Sequence, residues 1–231
     1  MTETIITVQG RFQAAHPPER ATLTLSVQWD GADRDAVYAA TTASADEVRS
    51  RLQPVDAATG PLIRFSSDSV QLWTERPWNQ DGRTLDPVFH ARVGFIVVFA
   101  VGSPASPGPG TGALARFVDE VAGIAGVSVG GIDWALTDAS RSAALAEVRS
   151  RAVKDAVAKA SVYAQSIGLG TVRAIALADE GMLDGKGATP SGHGAELMRM
   201  SAGAASASPP LSLAPEEIRV EAVVDARFVA T

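Results

Sequence analysis

The chain has 231 residues and 23.9 kDa, and its 20 Lys and Arg against 26 Asp and Glu give a formal net charge of −6. Hydrophobic residues make up 46% of the chain and charged residues 20%, which excludes global disorder and provides enough apolar material for a sizeable core. The acidic balance argues against a nucleic-acid binder or a binder of anionic membranes, because both need a basic face that releases counterions. The absence of cysteine excludes disulfides, thiolate nucleophiles and cysteine-based zinc sites.

The first residues, MTETIITVQG, begin a strand pattern. They lack the basic start and the apolar run of about 7–15 residues that a secretory signal needs. No window of the sequence approaches the roughly 18 apolar residues of a membrane span. We therefore expect a cytoplasmic protein that neither crosses nor binds a membrane.

The first half of the chain predicts four strands and one helix. The clearest strand runs from Ala21 to Trp29, where apolar residues alternate strictly with polar ones. Asp33 is placed to cap the helix that follows, and Pro54 to end it. The stretch 76–86 is typical of an extended hairpin connection between the last two strands. The predicted elements are strands at about 3–12, 21–29, 62–75 and 87–101, and a helix at about 34–52.

The second half predicts two helices and three strands separated by two loops. A Gly/Pro-rich loop covers 102–112. In the segment 181–214, 21 of 34 residues are Gly, Ala, Ser or Pro, a composition that buries too little apolar surface to offset its ordering entropy, so we expect a long mobile loop. The predicted elements are helices at about 113–125 and 139–167, and strands at about 127–136, 171–178 and 218–229.

The long helix predicted at about 139–167 is supported by further features of the sequence. Two acid-before-base pairs at i,i+4 spacing, Glu147–Arg151 and Asp155–Lys159, favour it, and Gly168 is placed to end it in the left-handed conformation. Its predicted apolar stripe consists of Leu145, Val148, Ala152, Ala156, Ala160, Tyr163 and Ile167.

The order ββαββ, then αβα, then ββ favours an α+β fold, with a largely antiparallel sheet and about three helices packed against it. We expect a single domain over residues 1–231, with 1–101 and 113–231 as possible lobes. Sequence does not fix the strand order.

Four segments, taken in order, resemble a known family. They are TIITVQGRFQAAHPPERATLTLSV, GVSVGGIDWALTD, AEVRSRAVKDAVAKASVYAQSIGLGTV and PEEIRVEAVVDARFVA. Over essentially its whole length the chain resembles SIMPL-domain proteins, also called domain of unknown function 541. The resemblance implies an α+β fold and a tendency to self-associate, in a family loosely associated with stress tolerance and signalling scaffolds. It brings no established catalytic centre and no functional residues, and the export signal common in bacterial members is not found here.

The sequence offers no strong sign of a catalytic, cofactor or metal site. The three histidines, His16, His90 and His193, are far apart and have no second ligand type at metal spacing. There is no G-x-S-x-G elbow, and the Gly-rich loop at 102–112 lacks the Lys-Ser/Thr of a phosphate-binding loop.

Tryptophan and arginine concentrate around the predicted hairpin. Both residue types are enriched at interface hot spots, so a protein-contact surface is one interpretation. The other is a long hairpin whose Trp side chains pack on the body of the domain. The residues concerned are Arg64, Trp73, Arg76, Trp78 and Arg83.

The leading functional hypothesis is a non-enzymatic SIMPL-type protein that forms a homo-oligomer or scaffolds a partner through this hairpin and its sheet edges. A stress-related role is part of that hypothesis. The alternative is a small-molecule-binding protein or uncharacterised hydrolase with a pocket between sheet and helices. Convergent polar groups and shifted pKa values would favour the alternative, and an apolar interior the first hypothesis.

Overall fold

The computed structural model describes residues 3–53, 60–78, 81, 83–102, 110–183 and 213–231. Within these ranges the chain forms eight strands and three helices. In chain order they are β1 (Thr4–His16), β2 (Arg20–Gly31), α1 (Arg34–Leu52), β3 (Leu62–Ser67), β4 (Gln71–Glu75), β5 (Val88–Ala100), α2 (Gly110–Ala122), β6 (Val127–Ala135), α3 (Asp138–Ser166), β7 (Val172–Asp179) and β8 (Ile218–Ala230).

The expected α+β class is confirmed, since every strand pairing is antiparallel. The predicted order differs at one place, because the strand expected over 62–75 is two strands, β3 and β4, that both pair with β5. The interruption is at Asp68, whose N–H donates to the carbonyl of Gly94 at 2.9 Å. The Asp68 carboxylate also lies over Gly94, where any side chain would meet it.

The chain divides into two compact units, and each is built from separated segments. One consists of residues 1–16, 137–204 and 217–231, and the other of residues 17–136 and 205–216. These boundaries differ from the division into 1–101 and 113–231, because the first strand of the chain pairs with the last. Most of the two predicted loops lies outside the described residues, namely 103–109 and 184–212.

The larger unit is a five-stranded sheet in the order β3–β5–β2–β6, with β4 pairing with β5 beside β3. Alternation along β2 and β5 directs one set of side chains onto α1 and α2, where they form an apolar core. Asp33 caps α1 as expected, accepting from the N–H groups of Asp35 and Ala36 at 2.9 Å. Phe99 and Phe117 meet in this core with ring centroids 5.6 Å apart.

The smaller unit is a three-stranded sheet in the order β1–β8–β7, with α3 packed on one face. Its core is narrow because the helix contributes alanines, which let the helix backbone approach the strands. Gly10 marks the closest approach, since a Cβ there would lie 2.8 Å from the Cβ of Ala156 and would overlap the carbonyl oxygen of Ala152. Any larger residue at this position would therefore force the helix and the strand apart.

The predicted stripe of α3 is right at its centre and wrong at its end. Tyr163 and Ile167 are 55% and 58% exposed, while Ala164 is buried. The buried residues are spaced strictly four apart. Because the helix has 3.6 residues per turn, such a row turns gradually around the helix, so that Ala164 and not Tyr163 faces the sheet at its end. The row consists of Ala144, Val148, Ala152, Ala156, Ala160 and Ala164. Gly168 ends the helix with a φ of 78°, as predicted.

Candidate contact surface on the β4–β5 arm

Strands β4 and β5 form a hairpin that continues past the last β4–β5 pair, and we call residues 71–78, 81 and 83–92 the arm. Its two strands stay paired from Gln71↔Arg92 to Glu75↔Val88. Beyond them the two segments remain hydrogen-bonded, because Leu85 donates its N–H to the Pro77 carbonyl at 2.8 Å. The arm is thus held by backbone hydrogen bonds along its described length.

At the base of the arm an aromatic residue, an imidazole and a carboxylate meet. Trp73 and His90 are register partners, and their rings stack with centroids 5.2 Å apart and an interplanar angle of 13°. Nε2 of His90 lies 3.6 Å from Oε2 of Glu75, which is an ion pair only when the imidazole is protonated. His90 follows the alternation that buries Ala91, so this cluster is on the sheet face opposite α1 and α2. Stacking on His90 fixes one face of Trp73 and leaves the residue 41% exposed.

Nearer the tip the arm presents apolar side chains to solvent. Trp78, which forms an isolated bridge with Thr84, is 70% exposed, and Leu85 is 48% exposed. Tryptophan usually buries most of its large surface in a folded protein. A tryptophan exposed to this extent on a backbone-ordered hairpin is suited to contact with another molecule.

The structure separates the five residues of the predicted surface. Trp73, Arg76, Trp78 and Arg83 all belong to the arm. Arg64 lies on the same sheet face, but it pairs with Val98 on β5, eight residues from His90. At about 3.3 Å per residue this is roughly 26 Å from Trp73. The predicted cluster is thus four residues on the arm and one distant arginine.

The predicted contact surface did not include three residues that contribute to the arm: Glu75, Leu85 and His90. Leu85 sits among polar residues within the expected connection, and that isolation is a usable sign of exposure. The contact of His90 with Trp73 depends on the β4–β5 register, which composition and periodicity do not supply.

The interior of the larger unit contains few polar side chains. Among the described residues the buried polar ones are Thr41 and Ser44. Thr41 donates its hydroxyl to the carbonyl of Val37 at 2.9 Å, and Ser44 accepts from the indole N–H of Trp29 at 3.2 Å. Both are satisfied internally, as is usual for polar groups in a packing core. In the part of the chain that the structure describes, no three His, Asp or Glu side chains are grouped as metal ligands.

Comparison with known proteins gives one result. Residues 6–228 match the model of the SIMPL family, described as a protein of unknown function (DUF541). The match covers nearly the whole chain, so the protein belongs to the SIMPL family. No curated protein matches it. None of the described helices is long and apolar enough to cross a bilayer.

Proposed function

We propose that this SIMPL-family protein is non-enzymatic and acts by self-association, forming a homo-oligomer in which the arm is a contact surface. The observation that carries the proposal is the 70% exposure of Trp78 on a hairpin whose backbone is ordered by hydrogen bonds. Burying such a side chain at an interface removes a large apolar area from water, and this favours association by about 25 cal/mol for each Å² buried.

The residues around Trp78 support the same proposal. Leu85 adds exposed apolar surface, and Arg76 and Arg83 add guanidinium groups at the rim. A central aromatic anchor with a polar rim is the usual composition of a protein–protein contact. The stacked Trp73 provides a rigid base, so that little side-chain freedom remains to be lost on binding.

The alternative, a ligand-binding protein or hydrolase with a pocket between sheet and helices, requires polar groups that converge on a cavity. The buried hydroxyls of Thr41 and Ser44 bond to their own unit, which supports a packing role for them. We therefore keep self-association as the single proposal.

The test is Trp78→Ala, measured by light scattering for mass and by thermal melting for stability. About three tenths of Trp78 is buried, so the substitution removes at most about 75 Å² of packing and about 2 kcal/mol of stability. We expect the melting temperature to fall by only a few degrees while the oligomer mass decreases.

The matched control is Tyr163→Ala, because Tyr163 is a 55% exposed aromatic residue on α3, outside the arm. This variant should keep the wild-type mass. A Trp78→Ala protein with a large loss of melting temperature and an unchanged mass would show that Trp78 packs within the subunit, and would refute the proposal.

A further inference from the structure

Among the strands that the structure describes, β1 pairs with β8 alone, so it is an edge strand of the smaller unit. In an antiparallel strand the N–H and C=O of alternate residues point to opposite sides. One set of backbone groups along β1 therefore faces away from β8. An edge of this kind is a template for pairing with another chain, and proteins commonly protect such edges.

At the centre of β1 these outward groups are bound by side chains of α3. The N–H of Arg11 donates to Oδ2 of Asp155 at 2.9 Å. Nζ of Lys159 donates to the carbonyl of Gln9 at 3.0 Å, and it also pairs with Asp155 at 2.7 Å. Gly10, between the two bound residues, allows the helix to come close enough for both side chains to reach the strand.

The lowered pKa of Asp155 favours its hydrogen bonds to Lys159 and Arg11. The hydrogen bond from Lys159, followed by that from the backbone of Arg11, holds the pKa of Asp155 below its usual range, against a smaller opposing effect of burial. Asp155 is therefore ionised well below neutrality and accepts both hydrogen bonds.

The β1 edge is also the most regular edge that the structure describes. The other long edge strands each contain a register shift, β3 at Leu62/Arg64, β7 at Ala174/Ala176 and β6 opposite Leu23/Leu25. Such irregularities bend a strand and discourage edge-to-edge pairing. The pairing of β1 with β8 is continuous over 13 residues, so β1 lacks this protection.

We propose that the Asp155–Lys159 pair covers the outward edge of β1. By doing so it prevents a second copy of this chain from adding its own β1 to this edge as a further strand. Antiparallel self-pairing about Gly10 aligns the apolar even-numbered residues of both copies on one face, with Gln9 opposite Arg11. A two-fold contact of this kind needs no other partner. With Asp155 and Lys159 bound to the strand, Gln9 keeps only its outward N–H and Arg11 only its outward carbonyl. Residues 5, 7, 13 and 15, two at each end, keep both outward groups, and each of these ends is short compared with the usual 5–6 residues of a strand.

The experiment uses the full-length double variant Asp155→Ala/Lys159→Ala. Alanine keeps the helix while removing both the acceptor and the donor. At a protein concentration too low for association, we expect amide hydrogen exchange at Arg11 to accelerate at least tenfold. At higher concentrations, where a second β1 strand would protect this N–H again, we expect the mass measured by light scattering to rise above that of the wild type. The control is Glu47→Ala/Arg51→Ala, which removes an i,i+4 ion pair of 3.2 Å on α1 and should change neither readout.

A third variant tests where the association occurs. Gln13→Pro, added to the double variant, removes an outward N–H of β1, a position where an edge strand tolerates proline. It should return the mass to the wild-type value, even where the double variant precipitates. An unchanged Arg11 exchange rate at the low concentration, faster exchange without a gain in mass at the higher one, or a gain in mass that Gln13→Pro leaves intact would each overturn the proposal. The mass of each variant is compared with the mass of the wild-type protein, whatever the oligomeric state of the wild type is. The proposal for the arm is tested separately by Trp78→Ala, so that a failure of one proposal is distinguished from a failure of the other.

Discussion

The close approach of α3 to β1 leads to a quantitative prediction for Gly10→Ala. A Cβ at residue 10 would overlap the carbonyl oxygen of Ala152 and lie 2.8 Å from both the N and the Cβ of Ala156. All three atoms belong to the helix backbone or to a buried alanine, so no flexible side chain can move aside. Relief requires a shift of the whole helix relative to the strand.

The cost of this shift can be estimated from overpacking in other cores, which is about 1–3 kcal/mol. The smaller conformational freedom of alanine in the unfolded chain returns about 0.4–1 kcal/mol. We expect a net loss of about 1–2 kcal/mol in the free energy of unfolding. For a chain of this size each kcal/mol lowers the melting temperature by about 2–4 °C. The same shift should release the N–H of Arg11 from Asp155 and accelerate its exchange.

Differential scanning calorimetry provides the assay, with Gly131→Ala as the matched control. Gly131 lies in β6, its φ is not positive, and nothing lies within 4 Å of the position its Cβ would occupy. Its substitution should be neutral or raise the melting temperature slightly. If Gly10→Ala melts as high as Gly131→Ala, the reasoning about the strand–helix contact is refuted.

Two further predictions concern stability. Phe117→Ala should lower the free energy of unfolding in denaturant titrations by about 3–5 kcal/mol, because Phe117 is 2% exposed and packs on Phe99; a loss below about 1 kcal/mol would contradict the described core. Because the pKa of Asp155 is lowered in the folded state, its contribution to stability is present above the ordinary aspartate pKa of about 3.9 and is lost as pH falls through its folded pKa. Urea midpoints measured from pH 6 to pH 2.5 should therefore converge between the wild type and Asp155→Ala at the acid end, and a difference that grows on acidification would contradict the lowered pKa.

Local signals in the sequence predicted most of the elements. Asp33 marks the start of α1 and Gly168 the end of α3, because a cap and a left-handed residue are decided by neighbouring residues. The alternation of β2 gave its buried face, because one side of that strand meets a helix core. Three features needed the tertiary structure: the split of the strand at Asp68, the exposure of Tyr163 and the pairing of the first strand with the last.

The candidate surface was predictable by residue type but not by geometry. Trp73 and Trp78 stood out because tryptophan is enriched at interface hot spots, but the separation of Arg64 follows from the pairing register alone. The Asp155–Lys159 pair likewise was predictable in its spacing along the helix but not in its contacts with β1. Their i,i+4 spacing predicts a helix ion pair, whereas their bonds to β1 depend on where the chain brings Gly10.

The measurement that tests self-association most directly is the absolute mass of the wild-type protein in solution, by size-exclusion chromatography with light scattering at two salt concentrations. Contacts made by buried tryptophan and leucine depend little on ionic strength, because salt screens exposed charges. The account predicts a discrete species of at least twice 23.9 kDa, and a whole-number multiple of it, at both concentrations. A monomer at both salt concentrations would contradict it.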